Sequence, residues 1–289
     1  MVMDIVTGYK NDEKLRKSFT DLTRRVFGID LDRWYENGFW QDDYIPYSAK
    51  EDGRIVANVS VNVCNLRWKG RVRHLAQLGT VVCDPGMRGR GYTGELMKRA
   101  VSECERSFEG VYLYADEKMT GFYEKYGFRR KYEWQCSKSV NITNTANLEK
   151  IPMDQPEERA RLVDIIQRRE NYGEKVMVNN PGLYMFYLTD RMKDSVWYLP
   201  DCDAYAVADV CGSDLRLHAV FSNDKVSLGE VISSFGSNID HITMTFTPAN
   251  NTGFIQTRID EAGECLFVRG PIFDNVTNER FMFPLITRA

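Results

Sequence analysis

Arg88-Gly89-Arg90-Gly91-Tyr92-Thr93-Gly94 is the part of this sequence whose residue types and spacing most clearly imply chemistry. Glycine leaves backbone N–H groups open to a ligand. At the start of a helix those groups and the helix dipole favour an anion. The two arginines add positive charge at the same turn. An apolar run at 78–83 leads into the segment through Asp84-Pro85-Gly86. Leu96, Met97, Ala100, Val101 and Cys104 then follow at helical spacing. A strand, a turn and a helix that begins at glycines make a phosphate cradle, and so a site for a nucleotide-type cofactor.

The elements that must position this cradle can be read from periodicity. Leu15, Phe19, Leu22 and Val26 put one apolar stripe on a helix over 12–27. Residues 31–40 form a short aromatic helix, and 44–49, 54–64 and 71–83 form strands separated by turns at Gly53 and Gly70. After the helix at 93–107 come a strand at 111–115, a helix at 117–126 and a strand at 131–140. The order is helix, helix, three antiparallel strands, helix, strand, helix, strand.

The cradle resembles the acyl-CoA signature of the GCN5-related N-acetyltransferases, Arg/Gln-x-x-Gly-x-Gly/Ala. Arg88, Gly91 and Thr93 occupy its fixed positions, with Thr93 where the family carries Gly or Ala. Phe122-Tyr123-Glu124-Lys125-Tyr126-Gly127-Phe128 resembles the family's closing helix and turn. The resemblance spans 3–140. It implies an α/β (α+β) fold in which a mixed, mostly antiparallel sheet is flanked by helices. It implies acetyl-CoA as co-substrate, with pantetheine along the main chain of Val81, Val82 and Cys83. The pyrophosphate would then lie on Arg88, Gly89, Arg90, Gly91, Tyr92, Thr93 and Gly94. It also implies direct transfer of acetyl to a primary amine on a small molecule or peptide, with Tyr123 as general acid. The structural alternative for Tyr123 is a core residue that closes its helix onto the sheet. Asp43 and its neighbour Asp42 lie among aromatics where the family builds its acceptor pocket, and Asp43 is the candidate carboxylate. Gln77 stands where many members carry a basic glutamate, and it cannot take a proton. That favours, as an alternative, a non-catalytic acyl-CoA sensor.

Gly89-x-Gly91-x-x-Gly94 also has the form of a dinucleotide fingerprint, with Asp116 further on at a strand end. A dinucleotide fold runs its first strand straight into the glycines and opens its domain with them. Here Asp84-Pro85-Gly86-Met87 intervenes, and residues 1–75 precede the strand.

Composition sets the limits. A chain of 289 residues suits one large domain or two ordinary ones. A net charge of −3 provides no basic field for nucleic acid or anionic membrane. No apolar run approaches a membrane span, and the first residues have no signal-peptide core, which places the chain in the cytoplasm as an expectation. Seven scattered cysteines without a Cys-x-x-Cys pair read as reduced thiols. The three histidines lack ligand spacing, so no metal is expected. The polar stretch at 141–150 marks a boundary near 145, dividing an acyl-CoA-binding domain (1–145) from a second, smaller domain (146–289). That half predicts helices at 156–169, 181–192 and 227–235 and strands at 195–199, 204–210, 215–221, 241–247, 265–268 and 281–286. It repeats the first half's order loosely. Its counterpart of the phosphate turn, at 221–227, has no Arg-Gly-x-Gly and carries Asp224, so it reads as a degenerate copy without a cofactor.

Overall fold

The helix expected at the N-terminus begins at Asp12, whose carboxylate accepts from the Leu15 N–H at 3.1 Å, and ends at Gly28 in the left-handed region. The computed structural model describes residues 3–168, 172–178, 180–259, 263–276 and 278–289. Its first elements are β1 (Asp4–Thr7), α1 (Glu13–Phe27), α2 (Asp32–Glu36), β2 (Tyr44–Glu51), β3 (Arg54–Trp68) and β4 (Arg71–Cys83). Next come α3 (Tyr92–Ser107), β5 (Gly110–Asp116), α4 (Thr120–Glu124), β6 (Arg129–Lys131), β7 (Trp134–Ser139) and β8 (Glu149–Lys150). The remainder comprises α5 (Pro156–Arg168), β9 (Lys175–Val178), α6 (Pro181–Leu188), β10 (Val196–Leu199), β11 (Ala204–Cys211) and β12 (Asp214–Ser222). The last elements are α7 (Leu228–Ser233), β13 (His241–Met244), β14 (Ile255–Arg258) and β15 (Glu264–Arg269).

Two mixed, mostly antiparallel sheets result. The first runs β1-β2-β3-β4-β5-β15-β6, with β9 added along β3, and the second runs β14-β7-β13-β12-β11-β10-β8. The same plan appears twice. Three antiparallel strands lead through a helix to a parallel strand: β2-β3-β4, α3, β5 in one sheet and β10-β11-β12, α7, β13 in the other. The strand beyond each parallel pair comes from the other half of the sequence. β15 pairs with β5, and β7 pairs with β13. The expected boundary at 145 therefore does not separate the sheets, because β7 precedes it and β15 follows it. The strand expected at 131–140 is two strands, β6 and β7, one in each sheet.

The strand expected at 281–286 does not form; residues 285–287 make a 3₁₀ turn instead. Its main chain is shared among several partners: the Phe281 carbonyl accepts from the Trp134 N–H at 2.9 Å and the Leu285 N–H goes to the Thr245 carbonyl at 3.0 Å. The Met282 N–H goes to Thr247 Oγ1 at 2.7 Å and the Phe283 N–H to Glu133 Oε1 at 3.0 Å. Pro284 has no N–H to offer. The helix expected at 181–192 stops at Leu188, and the one at 117–126 is a 3₁₀ turn followed by α4.

One core lies between sheet one and α3, and a second lies between sheet two and α7. A third is shared, with Trp68 and Tyr112 of sheet one packed among Leu162, Leu183 and Phe221 from the second half. α6, whose sequence PGLYMFYL is apolar on all sides, is buried in this shared core.

Candidate functional site

β4 and β5 pair in parallel from Leu75 opposite Gly110 to Leu78 opposite Leu113, and there the ladder ends. On its other edge β4 carries a bulge. Gly79 faces Ser60 and Val82 faces Asn58, so Thr80 and Val81 together oppose Val59. Thr80 has φ +47°, in the left-handed region that a β-branched residue rarely enters. Past this point the two strands part, and a cavity of about 810 Å³ fills the gap. Residues 78–83 of β4 form one wall and Tyr114, Ala115 and Asp116 of β5 the other.

The phosphate turn closes one end. Gly89 and Gly91 have φ of +81° and +83°, and a Cβ on either would meet open space, so backbone conformation is what calls for glycine there. Gly91 is the N-cap of α3 and supplies no side chain to its first N–H groups. A sixteen-residue helix thus begins with donors uncapped by any side chain. Arg88 and Thr93 line the cavity beside it. The side chains of Arg90 and Tyr92 turn to Glu51, which leaves their main-chain N–H groups as what they offer at the turn. Arg90 forms an ion pair at 3.2 Å, and the Tyr92 hydroxyl donates at 2.6 Å. Gly94 packs against the Tyr126 hydroxyl. Val81, Val82 and Cys83 line the cavity, and burial pushes the Cys83 thiol up, away from thiolate.

Tyr123 also lines the cavity, where α4 directs it in under β15, and its ring packs on Phe267 and Phe128. Burial pushes its hydroxyl up to about 12. Asp43 is not among the lining residues. It is half-buried, and burial raises its carboxyl. Asp42 is exposed and pairs with Lys10 at 2.6 Å. Gln77 is buried, and its amide donates to the Thr287 carbonyl at 3.1 Å, which ties down the segment after Pro284.

Sequence reasoning missed the far wall. Leu183, Phe186 and Tyr187 of α6 reach the cavity, as do Arg191, Glu264, Arg288 and Ala289. The all-apolar pattern of α6 was the available sign that this helix lies between two layers. A buried knot holds Arg288. Its guanidinium donates to Glu133 Oε2 at 2.8 Å and lies 4.0 Å over the Tyr114 ring, while the Tyr114 hydroxyl donates to Glu133 Oε1 at 3.0 Å. Burial pushes the Glu133 carboxyl up against this pairing. The Tyr187 hydroxyl donates to the Arg288 carbonyl at 2.7 Å. Gly79 faces Ala289 so closely that a Cβ there would lie 2.6 Å from the Ala289 carbonyl carbon. Two carboxylates, Asp116 and Glu264, sit directly opposite one another on β5 and β15 and both line the cavity.

The second half has nothing equivalent at its phosphate turn. α7 has six residues, and a reciprocal capping box closes its start. Ser227 Oγ accepts from the Glu230 N–H, and the Glu230 carboxylate accepts from the Ser227 N–H. Among the described residues no group of three or more His, Cys, Asp or Glu is placed to hold a metal ion, and no helix is long and apolar enough to cross a membrane.

Residues 11–130 match a family model described as an acetyltransferase (GNAT) domain. No curated protein matches the sequence. Among solved structures, a conserved protein of unknown function from Enterococcus faecalis V583 superposes with a TM-score of 0.64 at 12% identity, over 93% of this chain and 72% of that one. A GCN5-related N-acetyltransferase from Kribbella flavida gives 0.56 at 15% identity, over 92% and 71%. Another from Anabaena variabilis ATCC 29413 gives 0.53 at 14% identity, over 92% and 72%. At these identities the likeness is one of fold.

Proposed function

We propose that this protein, whose residues 11–130 match the acetyltransferase (GNAT) domain model, moves acetyl from acetyl-CoA directly to a primary amine. The observation that carries the reading is the parting of β4 from β5, which opens a cavity running from the uncapped start of α3 to Tyr123. The residues present fit acetyl-CoA. Main-chain groups of Val81, Val82 and Cys83, unpaired toward β5, suit the amides of pantetheine. The N–H groups at Gly91 to Gly94, with Arg88, suit pyrophosphate. Acetyl-CoA supplies an activated acyl thioester when bound.

The chain's own residues do the rest. The Tyr123 hydroxyl keeps its proton at neutral pH and gives it to the departing sulfur. The β4 main chain at the bulge offers an N–H to the acyl oxygen. Asp43, off the cavity wall, has no direct proton transfer to make. Asp116 and Glu264 are the carboxylates that line the cavity; as an opposed pair they draw in a cationic amine, and one of them takes its ammonium proton so that the neutral nitrogen attacks the thioester carbon. As the C–N bond forms and the C–S bond breaks, the proton the nitrogen then loses replaces the one Tyr123 gives to sulfur. Phe27, Ile29, Trp34 and Phe186 line the same space, so the amine is carried on an apolar or aromatic body.

The test is calorimetric titration of acetyl-CoA on wild type and Gly91→Glu, followed by turnover on a panel of arylalkylamines and polyamines. Micromolar binding that Gly91→Glu abolishes, with turnover, supports the enzyme. No binding to wild type would remove the co-substrate and the reading with it. The buried, tethered Gln77 favours one second reading, a sensor that binds acetyl-CoA and turns over no amine.

A further inference from the structure

Three of the polar side chains in the centre of sheet one are completely buried: Ser48 on β2, and Asn58 and Ser60 on β3. Buried polar groups are costly unless bonded, and an apolar row would pack the same space. These three are bonded in one continuous line. The Tyr9 hydroxyl contacts Ser48 Oγ at 2.6 Å, and Ser48 donates to Asn58 Oδ1 at 2.7 Å. The Asn58 amide donates to Ser60 Oγ at 2.9 Å, and Ser60 donates to the Tyr44 hydroxyl at 2.9 Å. With Ser60 as its donor, Tyr44 is left to donate to Thr80 Oγ1, 2.8 Å away. Every hydroxyl gives its proton the same way along the line, an arrangement in which each bond polarises the next.

The line ends on one residue twice. Besides the Tyr44 contact with the side chain, the second Asn58 amide proton goes to the Thr80 carbonyl at 3.0 Å. Thr80 is the residue held at φ +47°, at the bulge where β4 leaves β5. A β-branched residue does not keep that conformation unless its surroundings over-determine it.

We propose that Asn58 and Tyr44 are positioning residues whose buried hydrogen bonds hold Thr80 in the left-handed conformation that aims the β4 main chain into the cavity. This rests on the acetyltransferase reading for its effect on rate, but its effect on the bulge is independent of that reading. Tyr44 also lines the cavity, but its hydroxyl is committed to Ser60 and Thr80. Asn58 and Tyr44 act through the backbone that faces the acyl oxygen.

The experiment uses glycine, which adopts positive φ without help. Asn58→Leu removes its three amide hydrogen bonds, with Ser48, Ser60 and Thr80, at similar volume. Its kcat is expected to fall about 10- to 100-fold, the effect of losing the hold on Thr80, while acetyl-CoA affinity stays within about threefold. Thr80→Gly in the same chain is expected to return most of that rate, because the bulge no longer needs to be held. Urea unfolding of the four chains supplies a readout free of activity, in which the two substitutions should be clearly non-additive. If Asn58→Leu does not fold, Tyr44→Phe takes its place in the same cycle. Equal losses with and without Thr80→Gly, or additive unfolding energies, overturn the proposal. A wild type that turns over no amine, alongside non-additive unfolding, would refute the acetyltransferase reading and leave the role at Thr80 standing.

Discussion

Replacing Glu133 by glutamine tests whether the buried pair with Arg288 holds the segment that walls the cavity. The two side chains are 5% and 10% exposed and 2.8 Å apart. At an effective dielectric near 20, opposite unit charges at that separation attract by about 6 kcal/mol, most of which desolvation cancels. Removing one partner is a different matter, because it strands the other charge in a dry site. Glutamine's carbonyl oxygen can still accept from the Tyr114 hydroxyl and the Phe283 N–H, so the loss is confined to the Arg288 contact. A buried ion left unpaired costs about 3–5 kcal/mol, and the longer contact Arg288 keeps with the exposed Glu264 carboxylate, at 4.0 Å, places the expected value near 3. Urea unfolding at neutral pH measures it. Glu133→Gln and Arg288→Met should each destabilise by about 2–4 kcal/mol, and the double variant by less than their sum by about 2 kcal/mol. A loss under about 1 kcal/mol for Glu133→Gln, or simple additivity, would show that the pair does not anchor this segment.

Tyr123→Phe should lower kcat by about 100-fold and leave acetyl-CoA affinity unchanged, the pattern of a lost general acid; unchanged turnover would make Tyr123 a packing residue. Asp209 supplies a pH dependence. His218 donates to it at 3.1 Å and Ser195 at 2.6 Å, and the His218 contact holds its carboxyl down at about 2. A depressed folded pKa stabilises above the unfolded value near 4, and that stability drains away as pH falls from there through 2. Because the side chain is half exposed, the contribution is about 1 kcal/mol after solvent screening. Asp209→Asn should flatten this part of the acid unfolding curve, and an unchanged curve would rule the contact out.

The turn that opens α3 was legible because it is local. The glycines at 89 and 91 are required by the backbone conformation of a single turn, and an uncapped helix start is written in the residues that compose it. Its counterpart at 221–227 could be read the same way, and its structural form is sharper than expected. Ser227 and Glu230 close α7 with their own side chains where Gly91 leaves α3 open. What escaped the sequence were partnerships across long separations. β7 and β15 have ordinary strand patterns, and nothing in their six residues each states which sheet receives them. The segment at 281–286 is a continuous apolar run like a buried strand, yet the N–H groups of Met282 and Phe283 go to the side chains of Thr247 and Glu133. Asp43 was placed by analogy of sequence order, whereas the carboxylates on the cavity wall, Asp116 and Glu264, meet only because β15 returns to β5.

That return also sets a timetable. During synthesis β5 emerges early, but the strand that covers its outer edge, β15, is made about 150 residues later. At ribosomal rates of about 5–20 residues per second, the edge stays open for about 8–30 seconds. β5 is apolar along 111–113, the kind of uncovered edge on which chains aggregate. Until β15 is made, that edge is open to off-pathway pairing with other strands.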